Sequence, residues 1–82
     1  MMQLETIRGL VIQHARLPVA NETVTYTSDL YAAGLTSLTT VHLMLALEDA
    51  FGVEFPDRLL SRKTFDSVQS ISEAIDEMKA GG

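Results

Sequence analysis

The 82-residue sequence contains no cysteine, which excludes a disulfide framework, a thiolate metal site and a thiol nucleophile. Folding must rest on packing alone. No apolar stretch approaches the ~20 residues of a membrane span, and the N-terminus lacks a basic segment followed by an apolar run and a cleavage site. A cytoplasmic protein with no membrane partner is therefore expected. Internal repeats are absent as well. Basic residues are scarce, with six Lys and Arg against eleven Asp and Glu for a net charge of −5. From Leu17 to Asp57 there is no Lys or Arg at all, whereas Glu22, Asp29, Glu48, Asp49, Glu54 and Asp57 fall in that span. Such a surface repels phosphate backbones, which disfavours nucleic acid, and attracts a basic protein partner. The single basic cluster, Arg58, Arg62 and Lys63, reads as solvated surface and is too small for a nucleic-acid footprint.

What remains is 46% apolar, enough for one small domain over residues 1–82. A chain this short buries only roughly 60–65% of its unfolded surface. That leaves little space for a deep substrate cleft, so a self-contained enzyme is not expected. Leu4, Ile7, Leu10, Val11 and His14 recur at helical spacing until Pro18, predicting a first helix over about Gln3 to Arg16. Pro18 to Thr36 shows no sustained period and reads as a long ordered loop, packed by Val24, Tyr26, Leu30, Tyr31 and Leu35, with a helical turn near Asp29 to Ala33. A second helix begins at Thr36 or Ser37, where a hydroxyl can cap it, and ends near Phe51 with Gly52 as a left-handed stop. Pro56 to Leu60 suits a short helix with Pro at its first position. Asp66 or Ser67 caps a last helix carrying Val68, Ile71, Ile75 and Met78, with residues 80–82 as a frayed tail. The expected fold is all-α, with three longer helices, one short helix and a long loop after the first.

The second helix has more apolar surface than one core can cover. At about 100° per residue, Leu43, Met44, Leu47, Ala50 and Phe51 form a core-facing stripe, while Leu38, Val41 and Leu45 form another roughly opposite, flanked by Glu48 and Asp49. Either this helix is central and wholly covered, or the second stripe meets partners, as exposed apolar patches with polar rims do; the second reading is favoured. Ser37 stands at the start of this helix, where unpaired amides and the positive dipole end favour an anion. A phosphate ester on its hydroxyl would be well placed; the plainer role for a Ser here is a helix cap. Ser37 and His42, five residues apart, face about 140° away from each other, so a nucleophile–base pair fails. His14 lies on the apolar face of its helix, and no metal-ligand spacing is present.

The pattern Asp29-Leu30, Gly34-Leu35-Thr36-Ser37-Leu38, Phe51-Gly52-Val53, Phe55-Pro56 and Phe65-Asp66-Ser67-Val68 with Ile71 resembles the acyl carrier protein family, including its peptidyl and aminoacyl carriers, over essentially the whole chain. The resemblance implies a four-helix bundle whose Ser37 is esterified with 4′-phosphopantetheine from coenzyme A by a phosphopantetheinyl transferase. The arm's thiol would hold an acyl or aminoacyl group as a thioester. The second helix would then be the recognition helix, with Leu38, Val41, His42 and Leu45 meeting partners. Thr36 stands where the family usually has Asp, and Thr39, Thr40 and His42 replace the acids typical of fatty-acid carriers. The stretch Phe55 to Phe65 is more basic than in a housekeeping carrier and resembles carriers of amino acids. These departures favour a specialised carrier, loaded with an amino acid by an adenylating ligase; a monomer serving downstream transferases is expected. The alternative is a plain helical interaction module that uses the second stripe and keeps Ser37 as a cap.

Overall fold

The computed structural model describes residues 2–80. Three helices, α1 (Met2–Ala15), α2 (Ser37–Phe51) and α3 (Val68–Ala80), account for the regular structure, and α1 packs against both of the others. The periodic residues make that packing. Ile7 and Val11 of α1, Leu43 and Leu47 of α2, and Val68, Ile71 and Ile75 of α3 are wholly buried. Ala15 extends the α1 row by one more turn. Leu10, Met44, Phe51 and Met78 pack half-buried against this centre. Ala50, expected in the core stripe, is exposed; it lies at the edge of that stripe in the last turn of α2, where no neighbouring helix covers it. The short helix expected over Pro56 to Leu60 is a single 3-10 turn, Asp57–Leu59, with Pro56 in extended conformation just before it. Ala80, placed in the frayed tail, is the last residue of α3, and Gly81 and Gly82 lie outside the described residues.

The segment between α1 and α2 is long but tied down. Arg16 turns the chain out of α1 at φ 51°. Asn21–Thr23 form a 3-10 turn that periodicity does not show. Arg8 clamps this region to α1, its guanidinium donating to the carbonyls of Val24 (2.6 Å) and Asn21 (2.8 Å). The Tyr26 hydroxyl donates to the Glu5 carboxylate, and that bond to an anion holds the phenol above its ordinary pKa. Val24, Leu30 and Leu35 reach the core as expected. Backbone bonds Leu30 N–H to Asp66 O (2.8 Å) and Gln69 N–H to Tyr26 O (2.9 Å) fasten the segment to the start of α3.

Three motif residues acquire physical reasons here. Asp29 Oδ1 accepts from the amides of Tyr31 (3.1 Å) and Ala32 (3.2 Å), which nucleates the turn before α2. Gly34 has φ +122°, and a Cβ there would lie 2.4 Å from Pro18 Cδ, so no side chain fits where the loop closes on itself. The α3 cap is Ser67, whose hydroxyl accepts from Ser70 N–H at 3.0 Å.

Candidate functional site

Two adjacent hydroxyls compete to cap α2, and Thr36 is the one that does. Thr36 Oγ1 accepts from Thr39 N–H (3.1 Å) while Thr39 Oγ1 accepts from Thr36 N–H (2.9 Å), a reciprocal capping box. Ser37 is the first residue of the helix and is exposed. Its hydroxyl has no hydrogen-bond partner among the described residues. The plain reading of Ser37 as a cap therefore passes to Thr36, and the Ser37 hydroxyl stands free at the positive end of a 15-residue helix with no acid in its first turn. Thr36→Ala should cost about 0.5–2 kcal/mol of stability, read as a shift in the urea midpoint, whereas Ser37 carries none of that contribution.

The second stripe is exposed: Leu38 at 67%, Val41 at 48% and Leu45 at 54%. Their spacing of three and four residues puts them on one face, and His42, also exposed, borders it. Glu48 does not flank this face as a free acid. Its carboxylate accepts from Phe55 N–H at 2.8 Å, and its carbonyl accepts from Val53 N–H, so it locks the turn that follows α2. Gly52 makes that turn in the left-handed conformation, φ 64°.

Sequence reasoning missed Leu60, which is 46% exposed beside the stripe while its neighbour Leu59 packs on the core. Adjacent leucines at a tight turn point different ways, the one signal that could have separated them. Leu60 and Val41 share the lining of a hollow of about 240 Å³ with Tyr31, Thr40, Met44 and Phe65. Thr40, Val41 and Met44 follow Ser37 at helical spacings of three, four and seven, so the hollow lies along the helix from the Ser37 end. The basic cluster is exposed throughout, as expected, but two of its members have neighbours. Arg58 pairs with Glu77 (2.9 Å), and the Arg62 guanidinium lies 4.0 Å from the centroid of the Tyr31 ring. Among the described residues, no three His, Asp or Glu side chains are gathered to hold a metal, and no helix is long and apolar enough to cross a membrane.

The Ser37 hydroxyl stands free at a helix N-terminus beside an apolar face, with the oxygen and the positive field that a phosphate ester needs. A family model described as a phosphopantetheine attachment site matches residues 5–75. The aminoacyl carrier protein of Agrobacterium fabrum (strain C58) is 46% identical over 70 residues, covering 85% of this chain and 84% of the relative. A chain in the crystal structure of an engineered Bradyrhizobium japonicum glycine:[carrier protein] ligase, complexed with carrier protein from Agrobacterium tumefaciens and ATP, superposes with a TM-score of 0.84 at 43% identity, covering 90% of this chain and 96% of that one. A holo acyl carrier protein of Nitrosomonas europaea gives 0.81 at 26% identity over the whole of both chains. The chain belongs to the acyl carrier protein family, whose cofactor is a covalently attached 4′-phosphopantetheine.

Proposed function

We propose that residues 1–82 form a single non-catalytic carrier domain that holds an amino acid on a phosphopantetheine arm attached at Ser37. The observation that carries this is the exposed Ser37 hydroxyl, released from capping by Thr36 and set at the N-terminus of α2. When attached, the arm supplies the thiol on which the load is held as a thioester. The chain's own part is to fix one end of the arm through Ser37 and to offer Leu38, Val41, His42 and Leu45 as the docking face. An arm on a small body raises the local concentration of its load at whichever enzyme the body docks on.

Amino-acid cargo is favoured over a fatty acyl group by the comparisons. Identity is 46% to a relative named an aminoacyl carrier protein, and 43% to a chain solved with a glycine:[carrier protein] ligase, against 26% to an acyl carrier protein of equal fold. The neutral first three turns of α2 support the same reading. In this scheme a phosphopantetheinyl transferase modifies the cytoplasmic, monomeric apo-protein from coenzyme A, an adenylating ligase loads it, and downstream transferases receive the load. Intact-protein mass after incubation with coenzyme A and a broad-specificity phosphopantetheinyl transferase tests the attachment; no phosphopantetheine mass gain with several transferases would refute it.

The docking face has its own test. Leu45→Glu places a charge on an exposed residue, so the melting temperature should hold while aminoacyl loading of the modified protein falls. Unfolding by this change would assign Leu45 to the core instead.

A further inference from the structure

From Ser37 to Leu47, α2 carries no Asp, Glu, Lys or Arg. The part of the apolar face nearest Ser37 therefore has no fixed charge of its own, and the exposed Asp49, one turn beyond Leu45, closes its far end. At the hollow, the fixed charge that the structure places at the rim belongs to Arg62. Tyr31, over which Arg62 lies at 4.0 Å, lines the same hollow as Val41 and Leu60, so the guanidinium sits at the edge of an apolar surface made from α2 and the Leu60 turn. The other two bases of the cluster differ. Arg58 is paired with Glu77, and Lys63 lines a separate groove beside Glu73 and Glu77 of α3.

Arg62 is exposed, and among the described residues its guanidinium makes no ion pair and no hydrogen bond. Its five N–H donors are thus available, and the stack on Tyr31 limits the side-chain freedom lost when they are engaged. A tyrosine-backed arginine beside exposed leucine and valine is the composition of an interface anchor. The overall charge of −5 and Asp49 would draw a partner's bases to the far end of the face; at the hollow, the charge of Arg62 asks for the reverse.

We infer that Arg62, with Tyr31, Val41 and Leu60, forms a second part of the docking surface, and that it receives a carboxylate from an otherwise apolar face of the aminoacyl-adenylating ligase. The inference rests on the carrier reading above and names the chemistry of its loading partner. It separates the ligase from an enzyme that recognises acidic carriers through a basic patch, because Arg62 would repel such a patch.

The test uses this protein after phosphopantetheine attachment, with the engineered Bradyrhizobium japonicum glycine:[carrier protein] ligase, glycine and ATP, following glycylation by intact mass at low and high salt. Arg62→Glu should raise the KM for the carrier about tenfold or more at low salt with kcat within about twofold, and the defect should shrink at high salt. Arg62→Lys, which keeps the charge and loses the fork, should fall between. Unchanged melting temperature and normal phosphopantetheine attachment in both variants keep the readout specific to docking. A KM for Arg62→Glu within about twofold of wild type at low salt overturns the inference. So does failure of this ligase to load the wild-type protein once the arm is attached, which leaves the carrier reading standing. Failure of the wild-type protein to accept the arm would instead refute the carrier reading itself.

Discussion

Ser37→Ala should abolish the phosphopantetheine mass gain completely while leaving the protein as stable as wild type. Both halves of the expectation come from the same few atoms. Thr36 Oγ1, not Ser37 Oγ, accepts the Thr39 amide, so removing the Ser37 hydroxyl leaves the capping box intact. Ala has the best helix propensity, better than Ser, and an exposed first-turn site has nothing to repack. Chemically the loss is total, because a phosphoester needs the oxygen that the substitution removes. Paired measurement of intact mass and thermal melting checks this, with Thr36→Ala as the reciprocal control: destabilised but still modified. A Ser37→Ala protein that still gained the phosphopantetheine mass would move the attachment to another hydroxyl, with exposed Thr25 and Thr27 the next to examine.

Leu47→Ala should have the largest effect on stability, about 2–5 kcal/mol. Leu47 is fully buried and shares α2's inner face with Leu43, opposite the exposed stripe. Truncation removes buried apolar area and leaves a cavity among residues fixed on three helices, so little relaxation can fill it. Chemical denaturation gives the number directly. In an 82-residue domain a loss of this size is a large fraction of the whole folding free energy. The contrast with Leu45 two residues earlier is sharp, since Leu45 is 54% exposed and its truncation to Ala should cost little. Equal destabilisation by the two truncations would mean that both faces of α2 are core.

Periodicity made the three helices and most of the core legible, because Ile7, Val11, Leu43, Leu47, Val68, Ile71 and Ile75 recur at helical spacing whatever the tertiary arrangement. The exposed stripe could be found by the same arithmetic. Excess apolar surface on one helix shows on a helical wheel even when its neighbours are unknown. What could not be seen depends on residues distant in the chain. Glu48 lies beside the stripe on the wheel, yet its side chain is taken by the Phe55 amide. Arg62 belongs to an exposed run of bases, and no local pattern places Tyr31, 31 positions earlier, beneath it. Arg8 gives no sign of binding two loop carbonyls. The choice between Thr36 and Ser37 as cap was nearer to hand, since Thr39 stands at the third helical position from Thr36 and can complete the box.

The two backbone bonds that join the long segment to α3 also set an order in time. A ribosome delivers residues 26 and 30 well before residues 66 and 69, so the amide of Leu30 and the carbonyl of Tyr26 wait for partners that are translated about 40 residues later. Much of the core arrives late too, with Phe55, Phe65, Val68, Ile71 and Ile75 all following α2. The turn leading into Ser37 is therefore pinned only after residues 66 and 69 have been made. An enzyme that recognises Ser37 by the shape of its surroundings would act on a folded domain and pass over one whose last helix is still unmade.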